Sequence, residues 1–143
     1  MTSRDYFNQA YSLDQRINSE IEQVSRLHEL ATKATSTLSD MPISSTRNTQ
    51  RMENIIVKIV DLENEINDEI DRLVDLKADI MRIIKNVDDV EEQTLLELRY
   101  LCFKSWKEIA DDMGYSTQHI YRLHANAIER LTVSSEDFNS HNS

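Results

Sequence analysis

Four side chains that can hydrogen-bond to a flat polar edge lie close together near the carboxyl end of the sequence: Thr117, Gln118, Tyr121 and Arg122. On a helix, residues three and four apart are neighbours, so these four share one face. A carboxamide can pair bidentately with the edge of adenine and a guanidinium with that of guanine, so the chemistry on offer is base recognition. The other polar groups offer less. His119 and His124 are five residues apart, which puts them on different helix faces, unlike an i, i+4 metal pair. His28 lies beside an apolar seam and His141 in a polar tail. Asp61, Glu63, Glu65, Asp68, Asp71 and Asp75 follow exposed positions, as a solvated face does. A single glycine excludes glycine-rich phosphate loops, and a single cysteine excludes a disulfide framework or a cysteine-rich zinc site. Nothing in this inventory assembles a nucleophile with its base, so we expect no enzyme, metal or cofactor.

The elements that would hold the four residues can be read locally. Ser105-Trp106-Lys107-Glu108 is a capping box opening a helix that carries Ile109, Ala110 and Met113. Gly114, the only glycine, stands where a helix end takes the left-handed conformation. Ser116 then caps a second helix over 117–131, whose apolar face is Ile120, Leu123, Ala127, Ile128 and Leu131. A small Ala110 for the helix crossing, Gly114 for the turn and Ile120 to pack back between the helices describe a helix-turn-helix. Trp106 reads as packing at the helix start, and Cys102 as core. Upstream, Asp88 and Asp89 can cap a helix over 91–103 that is dense in leucine and aromatic residues.

Two longer signals precede this unit. Ala10, Leu13, Ile17, Glu20, Val24, Leu27, Ala31, Ala34 and Leu38 alternate in steps of three and four, the seam of a coiled coil. A stronger seam runs through Met52, Ile55, Ile59, Leu62, Ile66, Glu69, Leu73, Leu76, Ile80, Ile83, Val87 and Val90. Between them, residues 39–50 hold the only proline and a Ser/Thr/Asn cluster, and read as a loop. The expected architecture is all-α: a long antiparallel helical hairpin over 4–87, with helices at about 4–38 and 51–87. A helix-turn-helix domain over 88–131 and a flexible tail over 132–143 follow. Ile56, Val60, Ile70, Val74 and Ile84 widen the second apolar face beyond what one helix covers. The hairpin is therefore expected to form a homo-oligomer, with Ile59, Leu62, Ile66, Leu73, Leu76 and Ile80 as the oligomerisation residues. Glu20 and Glu69 are expected to snorkel to the edge while Ile21 or Ile70 takes the core. The alternative is that they set register against a partner's Arg or Lys, at a stability cost.

The stretch LLELRYLCFKSWKEIADDMGYSTQHIYRLHANAIERL, residues 95–131, resembles region 4 of bacterial sigma factors. More closely, it is similar to the ArpU/RinA-like phage regulators of late-gene transcription. The likeness extends upstream through ATKATSTLSDMP and RMENIIVKIVDLENEINDEIDRLVDLK. It implies a transcription regulator of a phage or prophage in a Gram-positive host, with double-stranded DNA as partner, RNA polymerase as a second one, and the bacterial cytoplasm as its location. In a helix-turn-helix, Thr117, Gln118, Tyr121 and Arg122 would reach base edges, and Lys104, Lys107, Ser116, His119 and Arg130 would clamp phosphates.

Charge opposes the simplest form of this reading. The chain carries 26 acidic and 16 basic residues, a net charge of −10, whereas DNA sites are usually basic. The acids lie away from the second helix of the motif: residues 115–131 contain two arginines and only Glu129. Two other classes therefore stay open: a module that docks on RNA polymerase or another phage protein, and a small-terminase-like packaging protein. No stretch of about 20 apolar residues suggests a membrane span.

Overall fold

A computed structural model describes residues 2–38 and 45–141, with side chains for 2–35, 47 and 49–131. Among these residues the protein is all-α, with helices α1 (Ser3–Leu38), α2 (Ser45–Lys85), α3 (Val90–Tyr100), α4 (Trp106–Met113) and α5 (Thr117–His141). The contacts divide it into two units, one of residues 14–72 and one of residues 1–13 with 73–143. The division differs from the boundary expected at 87/88, because the ends of both long helices are apolar and pack with the short ones.

In the unit of residues 14–72, α1 and α2 run in opposite directions. Arg16 meets Glu69, His28 approaches Glu63, and Thr35 meets Met52, so one number rises as the other falls. Ile17, Ala34, Ile59 and Ile66 are buried between the two helices. Ile59 and Ile66 therefore spend their apolar surface inside the single chain, which corrects their assignment to contacts between copies; Leu62 is half-buried. The expectation for the two seam glutamates is also overturned. Glu20 and Glu69 are 7% and 2% exposed, while Ile21 and Ile70 are 49% and 39% exposed. Arg16, four residues before Glu20, supplies the counter-charge to both. Its Nε lies 3.2 Å from Glu20 and 2.9 Å from Glu69, and its Nη2 lies 3.5 Å from Glu65. Burial, helped by the neighbouring Glu20 carboxyl, holds the Glu69 carboxyl above its ordinary pKa.

The second unit is centred on Phe7, Ala10, Ile80, Ile84, Leu95, Leu96, Tyr100, Ile109, Ile120 and Ala127. α1 enters it through a capping box: the Asp5 N–H donates to the Thr2 hydroxyl, and the Thr2 N–H donates to the Asp5 carboxylate. Tyr6 and Asp79 then join α1 to α2, their hydroxyl and carboxylate 3.5 Å apart. Ile80 is wholly buried here, with the half-buried Leu73 and Leu76 packed against the same core. The seam drifts by one position: Ile84 is buried and Ile83 is 37% exposed. A straight helix repeats every 3.6 residues, so a strict 3.5-residue reading slips by ~20° per heptad. Val90 lies outside the seam, exposed at the start of α3.

Three boundaries differ from expectation. Residues 45–50 belong to α2 rather than to a loop, and 39–44 lie outside the described residues. α3 ends at Tyr100, not residue 103, where Phe103 takes a left-handed backbone (φ 58°). Its ring is fixed by Tyr11, 5.6 Å away, and by the Lys77 ammonium 4.7 Å over its face. The early end of the helix also leaves Cys102 exposed instead of in the core. α5 continues through the expected tail to His141, since no glycine or proline follows Gly114 to stop it.

Candidate nucleic-acid interface

α4 is framed at both ends by the residues its sequence provides. The Ser105 hydroxyl accepts from the Glu108 N–H at 3.2 Å and donates to the Glu108 carboxylate at 3.0 Å. The carboxylate thus returns to the hydroxyl, a variation on the expected box. At the other end Gly114 is left-handed (φ 74°), and the Gly114 and Tyr115 N–H groups both donate to the Ala110 carbonyl. Both bonds go to one carbonyl that a helix end otherwise leaves to water. The Ser116 hydroxyl then accepts from the His119 N–H at 3.2 Å and opens α5. The Tyr115 hydroxyl donates to Glu91, tying the turn to α3.

Which face of α5 turns outward is decided by what its other face meets. Ile120 and Ala127 are fully buried, and Leu131 nearly so. Ala110 is 4% exposed in α4, small where α5 packs against it. His124 is the residue whose role sequence reasoning missed. Its Nε2 lies 2.6 Å from the Tyr100 hydroxyl of α3, and its ring packs edge-on to Trp106 at 4.7 Å. The Arg99 guanidinium lies 4.3 Å over the same indole, and its Nη1 donates to the Lys104 carbonyl. Burial, with Arg4 and Arg99 nearby, pushes the His124 pKa down to about 4, so the imidazole is neutral at pH 7 and can accept the phenol's proton. His124 stands four residues after Ile120 and three before Ala127, and that place on the apolar stripe is the signal the sequence offers.

With that face buried, Thr117, Gln118, Tyr121 and Arg122 are all exposed along the amino-terminal half of α5. Tyr121 leans on Trp106, ring centroids 5.4 Å apart, which limits its rotamers while leaving it about half exposed. The phosphate candidates separate into two groups. Lys107 and Ser116 are exposed, and His119 is half-buried beneath Tyr115 with the rings 4.4 Å apart. Lys104 and Arg130 are already engaged. The Lys104 ammonium lies 2.5 Å from Asp112, which raises its pKa through hydrogen bonding and charge. Arg130 lies 3.5 Å from Glu92. Glu92 is 2% exposed, and burial holds its carboxyl above the ordinary range against the pull of Arg130. Removing Arg130 to a phosphate would leave that carboxyl buried without a counter-charge.

Among the described residues one set of carboxylates is close enough to share a metal ion: Glu20, Glu65 and Glu69, in the other unit. Arg16 contacts all three and supplies the cation itself. No described helix is long and apolar enough to cross a membrane.

A family model described as "Protein of unknown function (DUF1492)" matches residues 33–132, well over half of the 143-residue chain. The chain belongs to that family. The DUF1492 match spans the end of α1, all of α2, α3 and α4, and α5 as far as residue 132, so it takes in the Gly114 turn and the exposed residues at the start of α5. No curated protein and no solved structure matches the chain.

Proposed function

We propose that this DUF1492 protein is a DNA-binding transcription regulator that works in more than one copy. In this reading α4, the Gly114 turn and α5 form a helix-turn-helix, and α1 with α2 form the hairpin that brings copies together. Gln118 and Arg122 read base edges in the major groove, assisted by Thr117 and Tyr121. Lys107, Ser116 and His119 hold the backbone. The likeness of residues 95–131 to sigma region 4 and to ArpU/RinA-like proteins supports a role in phage late-gene transcription. The observation that carries the reading is the division of α5. Ile120, His124, Ala127 and Leu131 are buried, while the four candidate base readers are exposed beside a left-handed glycine turn.

A second reading is favoured by the cations at the site. With Lys104 on Asp112 and Arg130 on Glu92, little basic charge is left to meet phosphates. A protein surface, such as one on RNA polymerase, is then the alternative partner of the same face. Gel shifts over a range of salt, on the intergenic DNA flanking the protein's own gene, separate the two. DNA binding should weaken steeply with salt, and Arg122→Ala should cost roughly 1–3 kcal/mol on the preferred duplex without loss of helicity. Equal retention of both proteins on every duplex would count against base reading and leave the protein-docking alternative.

A further inference from the structure

We propose that the outer face of α2 binds a second copy of this chain, antiparallel and in one register. The proposal rests on the self-association included in the proposed function and specifies its partner and geometry. Along α2, Glu53, Ile56, Val60, Glu63, Asn67, Ile70, Val74 and Lys77 follow one another in alternating steps of three and four. This is a complete second seam, distinct from the inner one that α1 covers. Its four aliphatic members are 48%, 48%, 39% and 61% exposed, an unusual amount of aligned apolar surface to leave in water.

The order of residues identifies the occupant. The steps read the same in both directions, so an identical helix running the other way can face this one across a two-fold axis. In the register where facing residue numbers add to 130, Ile56 meets Val74, Val60 meets Ile70, Glu63 meets Asn67 and Glu53 meets Lys77. Apolar groups meet apolar groups, a carboxylate meets an amide donor, and the outermost pair has opposite charges. Symmetry makes every pair twice. Lys77 also lies over the Phe103 ring, so that outermost pair contributes least. Sliding the partner to the next register places Val60 against Lys77, Glu63 against Val74 and Asn67 against Ile70. A parallel partner sets Glu53, Glu63 and Lys77 each against its own copy, and like charges in apposition are costly. Beside the centre of this seam runs a groove of about 240 Å³ lined by Ile21, Val24, Glu63, Ile66 and Asn67, which a facing side chain can enter.

Cysteine cross-linking of the full chain, in a Cys102→Ser background and without DNA, tests the register. Residue 60 and its own symmetry mate stand about 15 Å apart along the axis, too far for a disulfide, whereas residues 60 and 70 face each other. The V60C/I70C variant should form a covalent dimer under mild oxidation. V60C and I70C separately should not, and mixing those two single variants should restore the cross-link. The exposed-site variant Ile70→Glu should keep its helicity and elute as a monomer. A cross-link from V60C alone indicates a parallel pair and overturns the proposal, as does a non-covalent dimer that gives no cross-link in any variant. A wild-type protein that light scattering finds monomeric overturns the self-association itself. DNA retention, measured separately, reports on base reading independently of either result.

Discussion

Acidification should loosen α5 from α3 through one residue, His124. Its ring Nε2 lies 2.6 Å from the Tyr100 hydroxyl and the residue is 8% exposed, and its pKa lies at about 4 against an ordinary 6.5. The unfolded chain therefore binds a proton on this histidine at a pH where the folded protein does not. The contribution to stability is present above pH 6.5 and is lost as the pH falls from there towards 4. A difference of about 2.5 units corresponds to about 3 kcal/mol at most, of which roughly 2.5 kcal/mol would be gone at pH 4.5. The buried carboxyls Glu69 and Glu92 have raised pKa values and act in the opposite sense, so the measurement must be a difference. Urea unfolding of wild type and His124→Gln at pH 7.5 and pH 4.5 provides it, because glutamine can still hydrogen-bond to Tyr100 but does not titrate. The wild type should lose about 1–3 kcal/mol more than the variant over that interval. Histidine ring resonances followed by NMR should show His124 uncharged down to about pH 5. A His124 ring that titrates near the ordinary 6.5, or equal losses in the two proteins, would refute the reasoning.

Two further outcomes follow from the geometry. Gly114→Ala meets nothing within 4 Å of the added methyl, so its cost is only that of a left-handed alanine, about 1–2 kcal/mol in urea unfolding; a loss above about 4 kcal/mol would mean that the turn carries more than backbone conformation. Ile66→Asp puts an unpaired charge between α1 and α2, where Ile66 is 7% exposed, and should unfold that unit by 3 kcal/mol or more rather than merely separate copies; a helical monomer of wild-type stability would contradict this.

The parts of the fold legible in the sequence are those set by local rules. Ser105, Gly114 and Ser116 mark the limits of α4 and the start of α5, because caps and left-handed turns depend on single residues. The two long seams announced two long helices for the same reason. What could not be read depends on partners distant in sequence. Glu20 and Glu69 fall at core positions and look like interruptions until Arg16 is found between them. Ile59 and Ile66 look like surface for another copy until α1 is placed across them. At the candidate interface, the exposed quartet on α5 follows from helical periodicity. The withdrawal of Lys104 and Arg130 does not, because Asp112 and Glu92 lie eight and 38 residues away from them. Polar composition suggested a loose tail after Leu131, yet composition alone does not end a helix that has no breaker.

The most direct test is selection of bound sequences from a pool of randomised duplexes, by wild type and by Arg122→Ala. A base-reading α5 should enrich a short motif, and the variant should lose preference at one position of it while keeping the others. Recovery of an unenriched pool by the wild type, or of the same motif by both proteins, would contradict the assignment of α5 as the element that reads DNA.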